Sequence, residues 1–457
     1  MLNQSLEKMI NKERISEIAI ETVFTKRERK IDAYDLFLSL VFHSSKQLPV
    51  SLRNLAVFFS KKVSRTAVHK KFNEKGTLFF KRCLQHVLSQ KVQGDCKVET
   101  PLLENFNEIK LIDSSSWNIS PGLREYFPGS GGAGSPAGSK VQLFYEYKTG
   151  TIHSSEITKG TLPDQKYSEL IAQKINKNDL VIFDLGYWTC NTFMEIEKKE
   201  AYFISRLNTN VNLWLKEDNG DFVKFELENF LKKQKLNSLE FYAYLNKEQK
   251  NRIVAFRIPE EVANMRRAKL IKNSKKKGRT PSKKSLNMCD WSIFITNCEE
   301  NKVPGEMIRS FYRIRWTIEL IFKNWKSIVK IHKCNVRTNK NRFLCELYAK
   351  LIFAVIIHRS YQYVNSNLWK TERKEISFWC LCNYIADHSQ LLHEAAKTSV
   401  KKFIGFFNLY IDEIFYNCIK YYQPSRKTTL QYIDEMIGDI VPIKISSTAL
   451  LQQQRLS

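Results

Sequence analysis

From the start of the chain to about residue 95, apolar and polar positions alternate with helical spacing. Leu36, Leu38, Leu40, Val41 and Phe42 form one apolar run within it. Ser51 precedes the segment Leu52–Phe58, and Ser64 precedes a second short segment that ends at Phe72. A serine hydroxyl at either place can accept from the first backbone N–H groups of a helix. Two short helices with a tight connection, the second bearing Arg65, His69, Lys70 and Lys71, fit a helix-turn-helix. They fit a plain helical bundle with a solvated basic face as well.

Near residue 107 the period changes from helical to alternating. Glu108–Asp113 reads as a strand that ends on an acid, and a Gly/Ser-rich loop follows at Pro128–Gly138. Val141–Tyr147 and Thr151–Ile157 read as strands joined by the turn at Lys148–Gly150, and Tyr167–Ile175 as a helix. Leu180–Asp184 is a short apolar run ending on a second acid, the pattern of a strand buried on both faces. Asn191–Lys199 then reads as a helix and Ala201–Arg206 as another strand.

Residues 208–300 read as a second strand-rich unit, with strands at Phe241–Leu245, Arg252–Arg257 and Trp291–Thr296. Lys272–Lys284 holds seven cations and no acid. The pattern predicts a mobile basic loop, either solvated or set against phosphate. Helices resume at about Glu306 and run to about Ile440, and the last dozen residues read as a frayed tail.

Charge narrows the partners. The chain of 457 residues carries 73 Lys+Arg against 47 Asp+Glu, a net charge of +26. That excess calls for an anionic partner, nucleic acid before a membrane surface. The longest apolar stretch, Leu351–Ile357, has seven residues, against roughly 20 needed to span a bilayer. No apolar signal segment is visible, and the ten cysteines include no C-x-x-C pair. These features predict a cytoplasmic protein with reduced thiols.

Three acids stand out by context. Asp113 and Asp184 each end an apolar strand, and Glu319 lies in a strongly helical segment. Two such aspartates side by side repel unless a divalent cation bridges them. A helix-borne third carboxylate completes an oxygen shell for two metals about 3.5–4 Å apart, and Mg²⁺ suits an all-carboxylate site. On an ideal helix Tyr312, Arg315, Glu319 and Lys326 fall within a wedge of about 60°. Ile314, Ile318, Ile321, Trp325, Ile328 and Val329 fall opposite, as a core face. Taken alone, such a helix is also that of an ordinary amphipathic segment with an Arg315–Glu319 pair.

Tyr312-x2-Arg315-x3-Glu319-x6-Lys326 resembles the Y-x2-R-x3-E-x6-K signature of DDE transposases of the bacterial insertion-sequence-four family. Asp113 in Ile-Asp-Ser-Ser and Asp184 in Phe-Asp-Leu-Gly-Tyr resemble that family's two Asp boxes; Leu185 stands where the family often has Arg. The resemblance implies an α/β fold with an RNase-H-like catalytic core and a strand-rich insertion, flanked by N-terminal and C-terminal helical domains. The intervals fit: 71 residues separate the two aspartates and 135 separate Asp184 from Glu319, leaving room for an insertion at 208–300. The expected domains are 1–100 for DNA binding, 101–345 for catalysis, 346–445 as a helical region suited to dimerisation, and 446–457 as a tail.

The resemblance further implies cut-and-paste transposition with two Mg²⁺ ions, for which Mn²⁺ can substitute. Asp113, Asp184 and Glu319 would be the metal-binding catalytic acids. Tyr312, Arg315, Lys326 and Lys323 would meet the DNA backbone, with Arg65, Lys70 and Lys71 in the N-terminal region. Trp291 is either the stacking platform for a flipped base or a core residue of its strand. The partners would be inverted-repeat end DNA, target DNA and a second copy of the chain. The rival readings are a metal-dependent nuclease that does not join strands and a non-catalytic DNA-binding descendant.

Overall fold

A computed structural model describes residues 2–27, 30–43, 51–90, 97–131, 134–420 and 427–455. Part of the glycine-rich loop (132–133) and the last two residues lie outside that set. The chain forms two compact units. The first comprises 1–98, 113–162 and 317–426, and the second 99–112, 163–316 and 427–457.

In the first unit the N-terminal and C-terminal helices share one core. Ala33–His43 is buried at ten of its eleven positions, because the chain's early apolar run leaves it no polar face. Phe42 meets Phe353 and Phe403 edge-on, each at 5.9 Å between ring centroids. Phe353 belongs to the 33-residue helix Lys340–Glu372. The stretch Leu351–Ile357 is fully buried within that helix, and among the described residues no helix is long and apolar enough to cross a membrane. Thus residues 1–98 and 346–426 pack as one body, where the sequence suggested separate helical domains. Burial explains the difference: neither helical set can cover its apolar surface alone.

The unit boundary falls inside β1 (Ile109–Asn118), between Ile112 and Asp113. Within the first unit, β2 (Gly138–Glu146) and β3 (Ile152–Lys159) form an antiparallel hairpin. Its turn contains Gly150 at φ +64°, where a side chain would be strained.

In the second unit the first half of β1 opens a sheet completed by β4 (Leu180–Phe183), β5 (Tyr202–Arg206), β6 (Leu213–Lys216), β7 (Phe222–Phe225), β8 (Ser238–Leu245), β9 (Gln249–Arg257), β10 (Trp291–Thr296) and β11 (Ile443–Lys444). The order is β1-β4-β5-β10-β9-β8-β6-β7, with β11 on β8. β1, β4 and β5 are parallel; β10 runs antiparallel to both β5 and β9. The strand-rich insertion therefore continues the sheet of the parallel strands.

Two expectations change here. The first half of the basic segment is not a loop: Glu260–Lys276 is a 17-residue helix with Glu260 and Glu261 in its first turn and Lys275 and Lys276 in its last. Those charges oppose the helix dipole at both ends. The C-terminal segment is not frayed either. Ser447–Arg455 is helical, Leu450 is fully buried, and Gln454 Nε2 donates to the Lys224 carbonyl at 2.7 Å.

Candidate active site

Within the second unit, parallel register aligns the residues that precede the two aspartates in sequence. Ile112 pairs with Phe183, and Phe183 pairs with Ser205. The next residues on these three chains are Asp113, Asp184 and Arg206. Burial changes at the same step: β1 is buried through Ile112 and β4 through Phe183, while Asp113 and Asp184 are half-buried. β1 does not end at Asp113 but runs five residues further; Asp113 marks where the strand leaves the core rather than where it stops.

The same local bond orients both carboxylates. Ser114 N donates to Asp113 Oδ1 at 2.8 Å, and Leu185 N donates to Asp184 Oδ1 at 2.7 Å. A buried ion pair holds the other end of the strand pair. Lys110 Nζ donates to Asp179 Oδ2 at 2.5 Å and to the Lys174 carbonyl at 2.7 Å, with both charged groups about 1% exposed. Asp179 also accepts from Glu108 N at 3.2 Å and Asn176 N at 2.7 Å. Sliding β1 by one residue would strand a buried ammonium, so this pair fixes the register of β1 on β4.

The signature segment is not one continuous α-helix. Ile308–Arg313 ends in i→i−3 bonds from Ile314 N and Arg315 N, at 3.0 and 3.1 Å. Trp316–Asn324 then carries Glu319, and Trp325–Val329, which holds Lys326, is a π-helical turn. A single ideal-helix phase therefore does not run through the segment, since the tight turn and the wide turn each shift it. The core face is as expected: Ile314, Ile318, Ile321, Trp325, Ile328 and Val329 are all buried. Glu319 and Lys326 are half-buried and Lys323 is exposed.

Within the second unit Tyr312 is 5% and Arg315 7% exposed. The Tyr312 ring lies 5.4 Å from the Arg315 guanidinium and 5.8 Å from that of Arg206, and 5.3 Å from the Phe294 ring. Burial pushes the Tyr312 phenol up, Asp184 acts in the same direction, and Arg315 and Arg206 oppose both. Asp184, Arg206, Tyr312 and Arg315 thus share one electrostatic neighbourhood. Sequence reasoning passed over Arg206; the signal was a third strand whose apolar run ends on a charge, as β1 and β4 do.

Within the first unit Lys326 Nζ donates to the Ser116 carbonyl at 3.1 Å and lies 5.7 Å from the Trp117 ring. Burial lowers its pKa. Lys330, at φ 56°, ends the π turn, and the buried Lys350 ammonium donates to the Lys330 and Lys333 carbonyls at 2.8 Å each. That pins the backbone just beyond Lys326.

Trp291 is 5% exposed, and the Arg257 guanidinium covers its ring at 4.8 Å. The solvent-facing indole of this neighbourhood is Trp316, 55% exposed beside Arg315, with Leu320 52% exposed one turn on. Ser51 and Ser64 cap as expected, accepting from Asn54 N at 3.0 Å and Ala67 N at 3.2 Å. The second helix is only Arg65–His69, five residues.

Asp113 and Glu319 fall in the first unit and Asp184 in the second. Among the described residues, no three His, Cys, Asp or Glu side chains already stand together as a metal-binding group.

Residues 104–356 match the family described as Transposase DDE domain. The chain is 26% identical over 463 residues to the transposase for insertion sequence element IS231E of Bacillus thuringiensis subsp. finitimus, covering 97% of this chain and 95% of that protein. It is 28% identical over 396 residues to the transposase for insertion sequence element IS1151 of Clostridium perfringens, covering 82% and 84%. A piggyBac transposase synaptic complex with hairpin DNA aligns at TM-score 0.45 and 12% identity, covering 93% of this chain and 86% of that one.

Proposed function

Because this chain belongs to the family of transposase DDE domains, we propose that it cuts DNA at the ends of an insertion sequence and joins the freed 3′ ends to a target. What supports this is the family match over residues 104–356, together with the parallel register Ile112↔Phe183 within the second unit, each partner of which is followed in sequence by an aspartate. The strand order supports an RNase-H-like core: β3-β2-β1 in one unit and β1-β4-β5 in the other.

Asp113, Asp184 and Glu319 would hold two Mg²⁺ ions, or Mn²⁺ in their place, which activate the attacking oxygen and stabilise the leaving one. The remaining work falls to the chain's own groups. Arg206 and Arg315, braced on the Tyr312 ring, offer guanidinium forks to the end phosphates. Tyr312, Lys323 and Lys326 hold the same backbone in line for displacement. Trp316 is the indole already open to a displaced base, whereas Trp291 takes one only if Arg257 moves off its ring. Strand joining brings two ends together, and a dimer on DNA meets that need.

The test uses purified full chain, its own inverted-repeat DNA and a plasmid target, with and without Mg²⁺. Strand nicks at the ends and joined plasmid products are expected only with the metal. Nicks without joined products would make the protein a nuclease, and neither product would overturn the reading.

A further inference from the structure

The N-terminal part of the first unit contains a cleft of about 760 Å³ that the sequence did not reveal. Two chain segments line it: the turn after Lys12–Glu21 and the stretch from Ser64 to Lys75. Six cations face it, Lys26, Arg27, Lys30, Lys70, Lys71 and Lys75, and none of its described lining residues is acidic. Only Lys70 and Lys71 among these were expected to meet DNA.

Its walls are fixed rather than loose. Val23 sits at φ 54° and its N–H donates to the Ile20 carbonyl at 2.8 Å, while Thr25 N donates to the Ala19 carbonyl at 2.9 Å. These bonds fold the turn back on the preceding helix. Phe24 stacks on Phe79 at 4.8 Å, and Lys71 Nζ lies 4.5 Å over the Phe24 ring. Several cations around one cleft, with no acid among its described lining residues, attract an anion of matching charge density. A duplex backbone presents one charge about every 1.7 Å of axis. The helix that would read base edges, Arg65–His69, spans only five residues, about 7.5 Å. None of the six lining cations belongs to that helix: Lys70 and Lys71 follow it, Lys75 lies in the next helix, Glu74–Ser89, and Lys26, Arg27 and Lys30 come from the earlier turn.

We infer that this cleft is a clamp for the phosphate backbone of duplex DNA, which fixes the position of the end on the protein without reading its sequence. The inference rests on the transposase reading and adds how the N-terminal region engages its DNA.

Binding of the full chain to end DNA and to a scrambled duplex of equal length tests it across a salt series. Lys26, Arg27 and Lys30 are exposed, so the triple change Lys26→Ala, Arg27→Ala, Lys30→Ala leaves folding intact, checked by an unchanged melting temperature. The slope of log K against log salt should become shallower by about 2.7 in the triple variant, at roughly 0.9 for each phosphate no longer neutralised. Both duplexes should weaken by the same factor. An unchanged slope overturns the clamp, and so does a weakening confined to end DNA, which would mean base reading. A second triple change at exposed cations elsewhere, Lys199→Ala, Lys232→Ala, Lys235→Ala, removes the same net charge; an equal fall there would reduce the effect to overall charge and also overturn it. Wild-type protein that cuts its ends while the first variant keeps its slope sinks the clamp alone. Wild-type protein that neither prefers nor cuts its ends, yet loses slope in the variant, sinks the transposase reading and spares the clamp.

Discussion

The sheet of the second unit has two halves that solve burial differently. In β4, β5 and the part of β1 that belongs to this unit, the strands are parallel and buried through Ile112, Phe183 and Ser205, the residues before a charged one in each sequence. In β10, β9, β8, β6 and β7 the strands are antiparallel. Each half contains a buried ion pair: Lys110–Asp179 in the first, and Arg252–Glu240 in the second, with Nε–Oε1 at 2.6 Å and Nη2–Oε2 at 3.0 Å. Parallel strands all point their C-terminal ends the same way, so chemistry can be collected there. Antiparallel strands alternate direction and offer no such common end. Under the proposed function, reaction belongs to the first half and support to the second.

The sharpest way to break that division is at the acids. Asp113→Asn, Asp184→Asn and Glu319→Gln should each lower end cleavage by at least about 1,000-fold, the order expected when a group stabilising the transition state is lost. End binding and melting temperature should stay near wild type, because none of the three is fully buried. A variant that cleaves normally removes its residue from the catalytic set. Next in size come the two ion pairs. Lys110→Met and Arg252→Met each leave a buried carboxylate without its partner, at a cost of about 3–5 kcal/mol in denaturant unfolding. At a temperature where both variants remain folded, only Lys110→Met should also lose cleavage, since only that pair fixes the strand register beside the acids. Equal losses of cleavage would erase the distinction between the halves.

A smaller effect separates the two tryptophans. Trp291→Ala should destabilise by about 3–5 kcal/mol, as expected for removing a buried indole. Trp316→Ala should change stability by less than about 0.5 kcal/mol while lowering cleavage, measured on the same end DNA. The reverse pattern would return the stacking role to Trp291. This pair also shows what was legible in the sequence. Strand identity was: β10 was read at its observed limits, and the apolar runs before Asp113 and Asp184 gave the two central strands. Exposure was not, because an indole at a strand start reads alike whether an arginine covers it or solvent does. The phase of the signature segment was hidden for a related reason: ideal 3.6-residue geometry cannot anticipate a tight turn at Ile314–Arg315 and a π turn at Lys326. The division into units was hidden too, since the first helices pack against the last through residues more than 300 positions apart.

The least of the expected effects belongs to Lys326 and depends on pH. Its ammonium is half-buried against Trp117 and the Ser116 carbonyl, and burial lowers its pKa below the ordinary lysine value. The charged form is the one that attracts phosphate. Its share of end binding is therefore complete well below that lowered pKa and is lost as pH rises through it, earlier than for a solvated lysine. Lys326→Arg keeps a cation at any accessible pH, so it should flatten the alkaline fall in end binding, while Lys326→Ala should remove the fall and weaken binding at neutral pH. The salt slope should become shallower by about 0.9 in the alanine variant, the share of one neutralised phosphate. An alkaline fall that survives in Lys326→Ala would place the titrating group elsewhere and leave Lys326 as a brace for β1 rather than a hand on the DNA.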